Sequence, residues 1–232
     1  MSASFRCGLA IACLVGMLWA PPVSAQGVVI SSGGTRITKR VRSLQAIRQA
    51  NLVRQKWDLS CGSAALGTLL TYHLNDPVPE TAIIVWILRR SDPVRIQSRG
   101  GFSLLDLKRF VQARGYDAEG YADLGLQDLL DLRRPAIVPV RIKGFDHFLV
   151  FRGVIGDRVA LADPAFGNLT MKTHHFVEVW KNGIGFVVLP KKLARAANDM
   201  APTPKDFLVP DGSVLLRSFA SAGLVPPTRR IP

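Results

Sequence analysis

Cysteine is scarce in this 232-residue chain, with three in all, at positions 7, 13 and 61. The first two fall in an N-terminal segment that reads as an export signal, so Cys61 is expected to be the one thiol of the mature chain. A single cysteine excludes an internal disulfide framework, and stability must then come from an ordinary apolar core. Carboxylates are few as well, 17 Asp and Glu against 30 Lys and Arg, for a formal charge of +13. The basic residues are scattered ("TKRVR", "LRR", "DLRRP", "PKK", "TRR") and no aromatics interleave with them. That pattern argues against a nucleic-acid platform. It suits solubility and a general attraction to anionic surfaces, including peripheral contact with a membrane. Long apolar runs are missing after the N-terminus, so no later segment is expected to span a bilayer. There is no G-x-x-x-x-G-K-[ST] loop, which excludes an ATP site of that kind. Nothing in the composition or spacing calls for a cofactor or a metal.

The N-terminus carries Arg6, an apolar block over residues 8–20 ("GLAIACLVGMLWA") and then "PPVSA". This is the order of a signal peptide, with small residues at Val23-Ser24-Ala25 and cleavage expected after Ala25. The alternative is an uncleaved membrane anchor. The block is shorter than the ~20 residues a spanning helix needs, and Pro21-Pro22 end it sharply.

Residues 26–45 are polar, glycine-bearing and basic, and read as a flexible lead-in or an edge strand. Residues 61–74, "CGSAALGTLLTYHL", space Ala65, Leu66, Leu69, Leu70 and Leu74 as a buried helix, with Ser60 as its N-cap. A second helix is expected within Thr81–Arg90. "GGFSLLDLKRFVQARG" has a Ser103-x-x-Asp106 capping box, an apolar face of Leu104, Leu107, Phe110 and Val111, and Gly115 as a stop. "LQDLLDLRR" reads as a further short helix. Past Pro135 the pattern turns to short β-rich runs, "AIVPVRI", "HFLVFRGV", "RVALADP" and "IGFVVLP", with "IGDR" as a turn between the middle two. Helices followed by strands indicate an α+β fold. From Lys191 to Pro232 periodicity is lost and proline rises, as in a covering extension or a partly disordered tail.

Cys61 opens the first of these helices. Free backbone N–H groups and the positive end of the helix dipole there favour a thiolate. The opposing consideration is that cysteine is often simply buried as a small hydrophobe. A nucleophilic thiolate needs a histidine and a group to orient it. Of the four histidines, His73 lies about three turns along the same helix, out of reach of Cys61. His174 and His175 are adjacent, so on a strand they would face opposite ways, which suits a surface role better than a metal pair. His147 heads "HFLVFRGV" and Asp163 ends "RVALADP", almost equidistant from the "IGDR" turn. Antiparallel register therefore puts His147 and Asp163 opposite or nearly opposite one another. A carboxylate so placed can fix the imidazole tautomer, as in a nucleophile–base–acid triad. A merely structural His–Asp pair is the competing reading. Gln55, six residues before Cys61, can supply an amide donor to an oxyanion beside the Cys61 N–H.

"QKWDLSCGSAALGTLL", "GGFSLLDLKRF" and "DHFLVFRGV…RVALADPAFGNLTM" resemble, in the same order, the C39 family of papain-like cysteine peptidases, the bacteriocin-processing type that removes double-glycine leaders. The resemblance runs from about Asn51 to Pro190. It implies a papain-like fold, with helices packed on an antiparallel sheet. It also implies Cys61 as nucleophile, His147 as general base and acid, Asp163 as orienter and Gln55 in the oxyanion hole. The Gly100–Leu107 element would be structural. The chain is divided accordingly into a signal peptide (1–25), a lead-in (26–50), a peptidase domain (51–190) and an extension (191–232). Bacteriocin exporters fuse their peptidase to a transporter; this sequence has an export signal instead. In that it is similar to stand-alone periplasmic C39-like proteins of functional-amyloid secretion systems. The implied partners are a secreted amyloid- or bacteriocin-like protein and its export machinery, and the implied compartment is the periplasm. A non-catalytic peptide-binding or chaperone module and a cell-wall Cys–His amidase are the alternatives.

Overall fold

A computed structural model describes residues 27–32, 35–40, 43–190 and 200–208. The expected signal peptide and cleavage point lie outside the described residues. Two strands, β1 (Gly27–Ser32) and β2 (Thr35–Arg40), pair antiparallel as a separate hairpin, within the stretch read as a lead-in.

The body that begins at Ser43 is built around helix α2 (Cys61–Thr68), after a short α1 (Leu44–Arg48). Every residue of α2 is buried. Its small side chains explain how it can be enclosed on all sides. A Cβ on Gly62 would lie 3.3 Å from the Phe148 ring, and one on Gly67 would lie 3.3 Å from the Val78 carbonyl. The helix continues as one π-helical turn, Leu69–His73, rather than as the regular α-helix expected to residue 74. The wider turn keeps Leu69 and Leu70 in the core. Helix α3 (Glu80–Leu88) follows, then α4 (Pro93–Arg99) and α5 (Leu104–Ala113). Helix α5 has the expected reciprocal cap: Asp106 N–H donates to Ser103 Oγ at 3.2 Å, and Ser103 N–H donates to Asp106 Oδ2 at 3.0 Å.

The second half forms a six-stranded antiparallel sheet. Its strands are β3 (Asp117–Tyr121), β4 (Ala136–Ile142), β5 (Phe145–Ile155), β6 (Arg158–Asp163), β7 (Gly167–Lys172) and β8 (Gly185–Leu189), in the order β3-β8-β4-β5-β6-β7. Alternation along the strands covers both faces. Ile137, Val150, Ala162, Phe186 and Val188 join one apolar cluster with the residues of α2, α3 and α5. Val138, Leu149, Phe151, Leu161 and Val187 join a second, with Leu129 of α6 (Leu126–Asp131) and Phe176 of α7 (Thr173–Val179). This is the α+β architecture expected from the sequence.

Several elements differ from expectation. His174 and His175 lie on α7, not on a strand, and both are exposed. The run "THHFVEV" has strand-like composition, but intrinsic propensities differ by at most ~0.7 kcal/mol per residue. Burying one Phe or similar side chain contributes about 1.5–3 kcal/mol. Phe176 is fully buried, stacks on Trp180 with centroids 5.3 Å apart and meets Phe151 at 5.8 Å, so packing decides. Strands β3 and β7 are the sheet edges, where the polar runs "DAEGY" and "GNLTMK" conceal the strand pattern.

Part of the C-terminal extension is docked. The β5–β6 register shifts between Phe151 and Gly153, leaving Arg152 at a bulge. Its guanidinium donates to the Met200 carbonyl at 2.9 Å and pairs with Asp206 at 2.5 Å. Gly153 has φ +142°, and a Cβ there would come within 2.8 Å of Pro202. Residues 200–206 thus lie across the bulge, with Met200 fully buried.

Candidate active site

Cys61 stands at the first position of α2, where the helix begins under a turn formed by residues 57–60. Leu59 in that turn has φ +66°, and its carbonyl is tightly covered by Gly101. Gly101 has φ +139°, and a Cβ on it would lie 2.8 Å from Leu59 O. Only glycine permits that approach. The glycine-rich element before α5 therefore braces the segment that leads into Cys61.

Ser60 occupies the N-cap position but does not cap with its side chain, contrary to the sequence expectation. Its backbone has φ −99° and ψ 8°, and its hydroxyl turns away from the helix, to Glu80 Oε1 at 2.6 Å and to the Trp57 carbonyl at 2.7 Å. Two short bonds to oxygens outweigh a single bond to an orphan N–H of the helix.

His147 reaches the site from the beginning of β5, and Asp163 from the end of β6. Beyond the bulge the register pairs Val150 with Ala162, so Asp163 falls beside Leu149 and lies diagonal to His147. Continued without the slip at Arg152, the register near the turn would put Asp163 beside Val150, so the bulge brings it one residue nearer His147. Their side chains meet, with His147 Nε2 2.9 Å from Asp163 Oδ1. Asp163 is 1% exposed, and its Oδ1 also accepts the N–H groups of Ala165 at 2.7 Å and Phe166 at 3.1 Å. Those bonds aim the carboxylate. With Nε2 taken by Asp163, Nδ1 is the ring nitrogen left for Cys61, which hydrogen-bonds His147.

The electrostatics follow from this arrangement. Burial pushes the Cys61 thiol up, but the bond to His147, the imidazolium charge and the N–H groups of Phe148 and Gly62 outweigh it and hold the thiol below its ordinary value. Burial pulls His147 down, and the Asp163 carboxylate and Cys61 together raise it well above the ordinary imidazole value. Both directions favour a thiolate–imidazolium pair. His147 keeps 18% of its side chain exposed, so the pair is reachable from solvent while Asp163 is not.

Gln55 lies on the same approach to α2. Its backbone N–H donates to the Pro164 carbonyl at 3.0 Å, which ties the segment before Cys61 to the residue after Asp163. The Gln55 amide donates to the Trp57 carbonyl at 3.4 Å, and its Oε1 is buried without a partner among the described residues. A long bond and an unsatisfied oxygen leave this amide available to turn. Arg54 and Arg48 reach over to the carbonyls of Ala165 and Phe166 and hold the loop after Asp163. Sequence reasoning gave Glu80, Arg48 and Arg54 no part here. A lone carboxylate at the head of the apolar helix "ETAIIVWIL" was the one available signal. The four residues singled out by the sequence, Gln55, Cys61, His147 and Asp163, are all on elements that meet at this place. His73, His174 and His175 are not. Among the described residues no three His, Cys, Asp or Glu side chains group as a metal site would need, and no helix is long and apolar enough to cross a membrane.

Comparison with known proteins bears on the family and the fold. The sequence profile of the Peptidase C39 family matches residues 49–192. The chain is 41% identical over 157 residues, 68% of each sequence, to the "probable functional amyloid protease FapD" of Pseudomonas aeruginosa. It is 38% identical over 178 residues, 76% of this chain and 77% of the other, to the protein of the same name from Pseudomonas fluorescens. The crystal structure of the peptidase domain of Streptococcus ComA, a bi-functional ABC transporter involved in quorum sensing, superposes with a TM-score of 0.50 at 21% identity. That match covers 61% of this chain and 99% of that domain, and it shows the shared fold. The chain belongs to the peptidase C39 family and is a cysteine peptidase.

Proposed function

We propose that the protein is an exported endopeptidase that processes a small set of partner proteins through Cys61, His147, Asp163 and Gln55. The observation that carries this reading is the position of His147, bonded to Asp163 on one side and to Cys61 on the other. In this mechanism the Cys61 thiolate attacks the scissile carbonyl, and the new C–S bond pushes an electron pair onto the carbonyl oxygen. The Cys61 N–H and a turned Gln55 amide stabilise that oxyanion. The His147 imidazolium then gives its proton to the leaving amine as the C–N bond breaks. Neutral His147 next takes a proton from water, which attacks the thioester and frees Cys61. Asp163 keeps the imidazole in one tautomer and stabilises its charged form.

The relatives named as functional amyloid proteases support an amyloid-type secreted protein, or a component of its export machinery, as substrate. The signal-like segment of residues 1–25 supports action in the periplasm. The test is to compare secreted proteins in cells carrying Cys61→Ala with those of the parent strain. Loss of one processed species, with the variant still folded by circular dichroism, is the expected result. An unchanged set of processed proteins would refute the reading.

A further inference from the structure

Glu80 is a buried titratable group that the mechanism leaves unused. It begins α3, it is 3% exposed, and among the described residues no Arg or Lys side chain bonds it. Its oxygens receive the Lys56 N–H, at 3.2 and 3.1 Å, and Oε1 lies 2.6 Å from Ser60 Oγ. Ser60 Oγ is also 2.7 Å from the Trp57 carbonyl oxygen. Both separations are those of O–H···O hydrogen bonds. Ser60 has one hydroxyl hydrogen, and a carbonyl can only accept. One hydrogen can make only one of these a full two-centre bond, so two separate bonds need a second proton, and of the three groups only the Glu80 carboxyl can carry it.

We propose that Glu80 is a positioning residue for the Cys61 site, acting as a neutral carboxylic acid that donates to Ser60 Oγ, which in turn donates to the Trp57 carbonyl. Its other oxygen takes the Lys56 N–H. The chain of bonds clamps residues 56–60 between Gln55 and Cys61, and it fixes the Trp57 carbonyl, which accepts the Gln55 amide at the same time. It thereby sets where the Gln55 amide stands beside the oxyanion site. Burial agrees with the assignment, since it raises the Glu80 carboxyl above its ordinary value, against the smaller opposing effects of Ser60 and Lys56. Lys56, the one charged group acting on it among the described residues, is exposed. The proposal rests on the reading of Gln55 and Cys61 given above, but its protonation can be tested without any substrate.

Glu80→Gln keeps a donor for Ser60 and an acceptor for Lys56 but cannot ionise. A neutral Glu80 contributes stability that is complete at low pH and is lost as pH rises through its raised folded value. Melting temperatures of the parent and Glu80→Gln should therefore coincide in acid, and the parent should fall below the variant as pH rises. A parent that gains on the variant with rising pH would show that Glu80 is ionised and would overturn the assignment. In turnover, Glu80→Ala should lower kcat about ten-fold with KM little changed, while Cys61 alkylation by iodoacetamide stays at the parent rate and Glu80→Gln restores kcat. Equal damage in Glu80→Gln and Glu80→Ala, or no damage in either, would overturn the positioning role. If Glu80→Ala does not fold, Ser60→Ala breaks the same chain and carries the same expectations. Loss of the Cys61 reading would appear separately, as cleavage that survives Cys61→Ala.

Discussion

Replacing Asp163 with Asn separates the charge of a buried carboxylate from its shape. Oδ1 of Asp163 accepts three hydrogen bonds, from His147 at 2.9 Å, Ala165 at 2.7 Å and Phe166 at 3.1 Å. An Asn oxygen can accept all three, but without charge. A bond to a charged partner contributes about 1.5–3 kcal/mol and a neutral one about 0.5–1.5. The loss at His147 is then on the order of 1–2 kcal/mol, and at about 1.4 kcal/mol per pKa unit the imidazolium becomes easier to deprotonate by roughly one unit. The thiolate–imidazolium pair exists between the lowered thiol and the raised imidazole, so a weaker imidazolium narrows that window from both sides. The assay is the rate of Cys61 alkylation by iodoacetamide across pH, read by mass spectrometry. In the parent, reactivity should persist below the ordinary thiol range and fall as pH drops through the lowered thiol value. In Asp163→Asn the acid limb should move upward by roughly one unit or less, while the melting temperature changes little. Asp163→Ala should behave differently, because it takes the acceptor from the buried Ala165 N–H, at about 1–3 kcal/mol, and from the partly buried Phe166 N–H as well. That is a large part of the roughly 5–15 kcal/mol by which a domain is stable. An acid limb that does not move in Asp163→Asn would show that the carboxylate charge does not set the state of Cys61, and the argument from the His147–Asp163 contact would fail.

Three further outcomes are expected. Gln55→Ala should lower kcat roughly 10²–10³-fold with little change in KM, and leave Cys61 alkylation intact; equal kcat in variant and parent would remove Gln55 from the oxyanion site. Gly101→Ala puts a methyl group 2.8 Å from the Leu59 carbonyl at φ +139°, so melting temperature and Cys61 reactivity should fall together; a variant as stable as the parent would contradict the close approach. Arg152→Met leaves Asp206 buried at 11% side-chain exposure without its partner, a loss on the order of 3–5 kcal/mol. Urea unfolding should show it, and limited proteolysis should cut near residues 200–208 first; unchanged resistance would mean that the Arg152 contacts do not hold that segment.

Much of the fold could be read from local pattern. The Ser103–Asp106 cap, the apolar face of α5 and the run "AIVPVRI" each carry enough periodic signal in a short window to specify an element. The meeting of His147 and Asp163 could also be read, because antiparallel pairing about a short turn is nearly an arithmetic constraint. The bulge at Arg152 shifted that pairing by one residue. It could not be foreseen, because what accompanies it is a contact with Met200 and Asp206, about fifty residues further on. Helix α7 and the edge strands β3 and β7 were hidden for a related reason. Their composition points one way, and burial of Phe176 or pairing with a neighbouring strand points the other.

At the active site the division is just as clear. Which residue types could do the chemistry, and that one thiol at a helix start was among them, followed from the order of amino acids alone. Ser60 looked like a helix cap by the same local logic. Glu80 lies twenty residues away from it along the chain, and only the packing of α3 beside α2 brings the carboxyl within 2.6 Å of the hydroxyl. Burial then alters what both groups do, since a carboxyl removed from water with no cation beside it seeks a proton or a donor. That competition between solvent and neighbours exists only in the folded chain, and it is what turned the Ser60 hydroxyl from an expected cap toward Glu80.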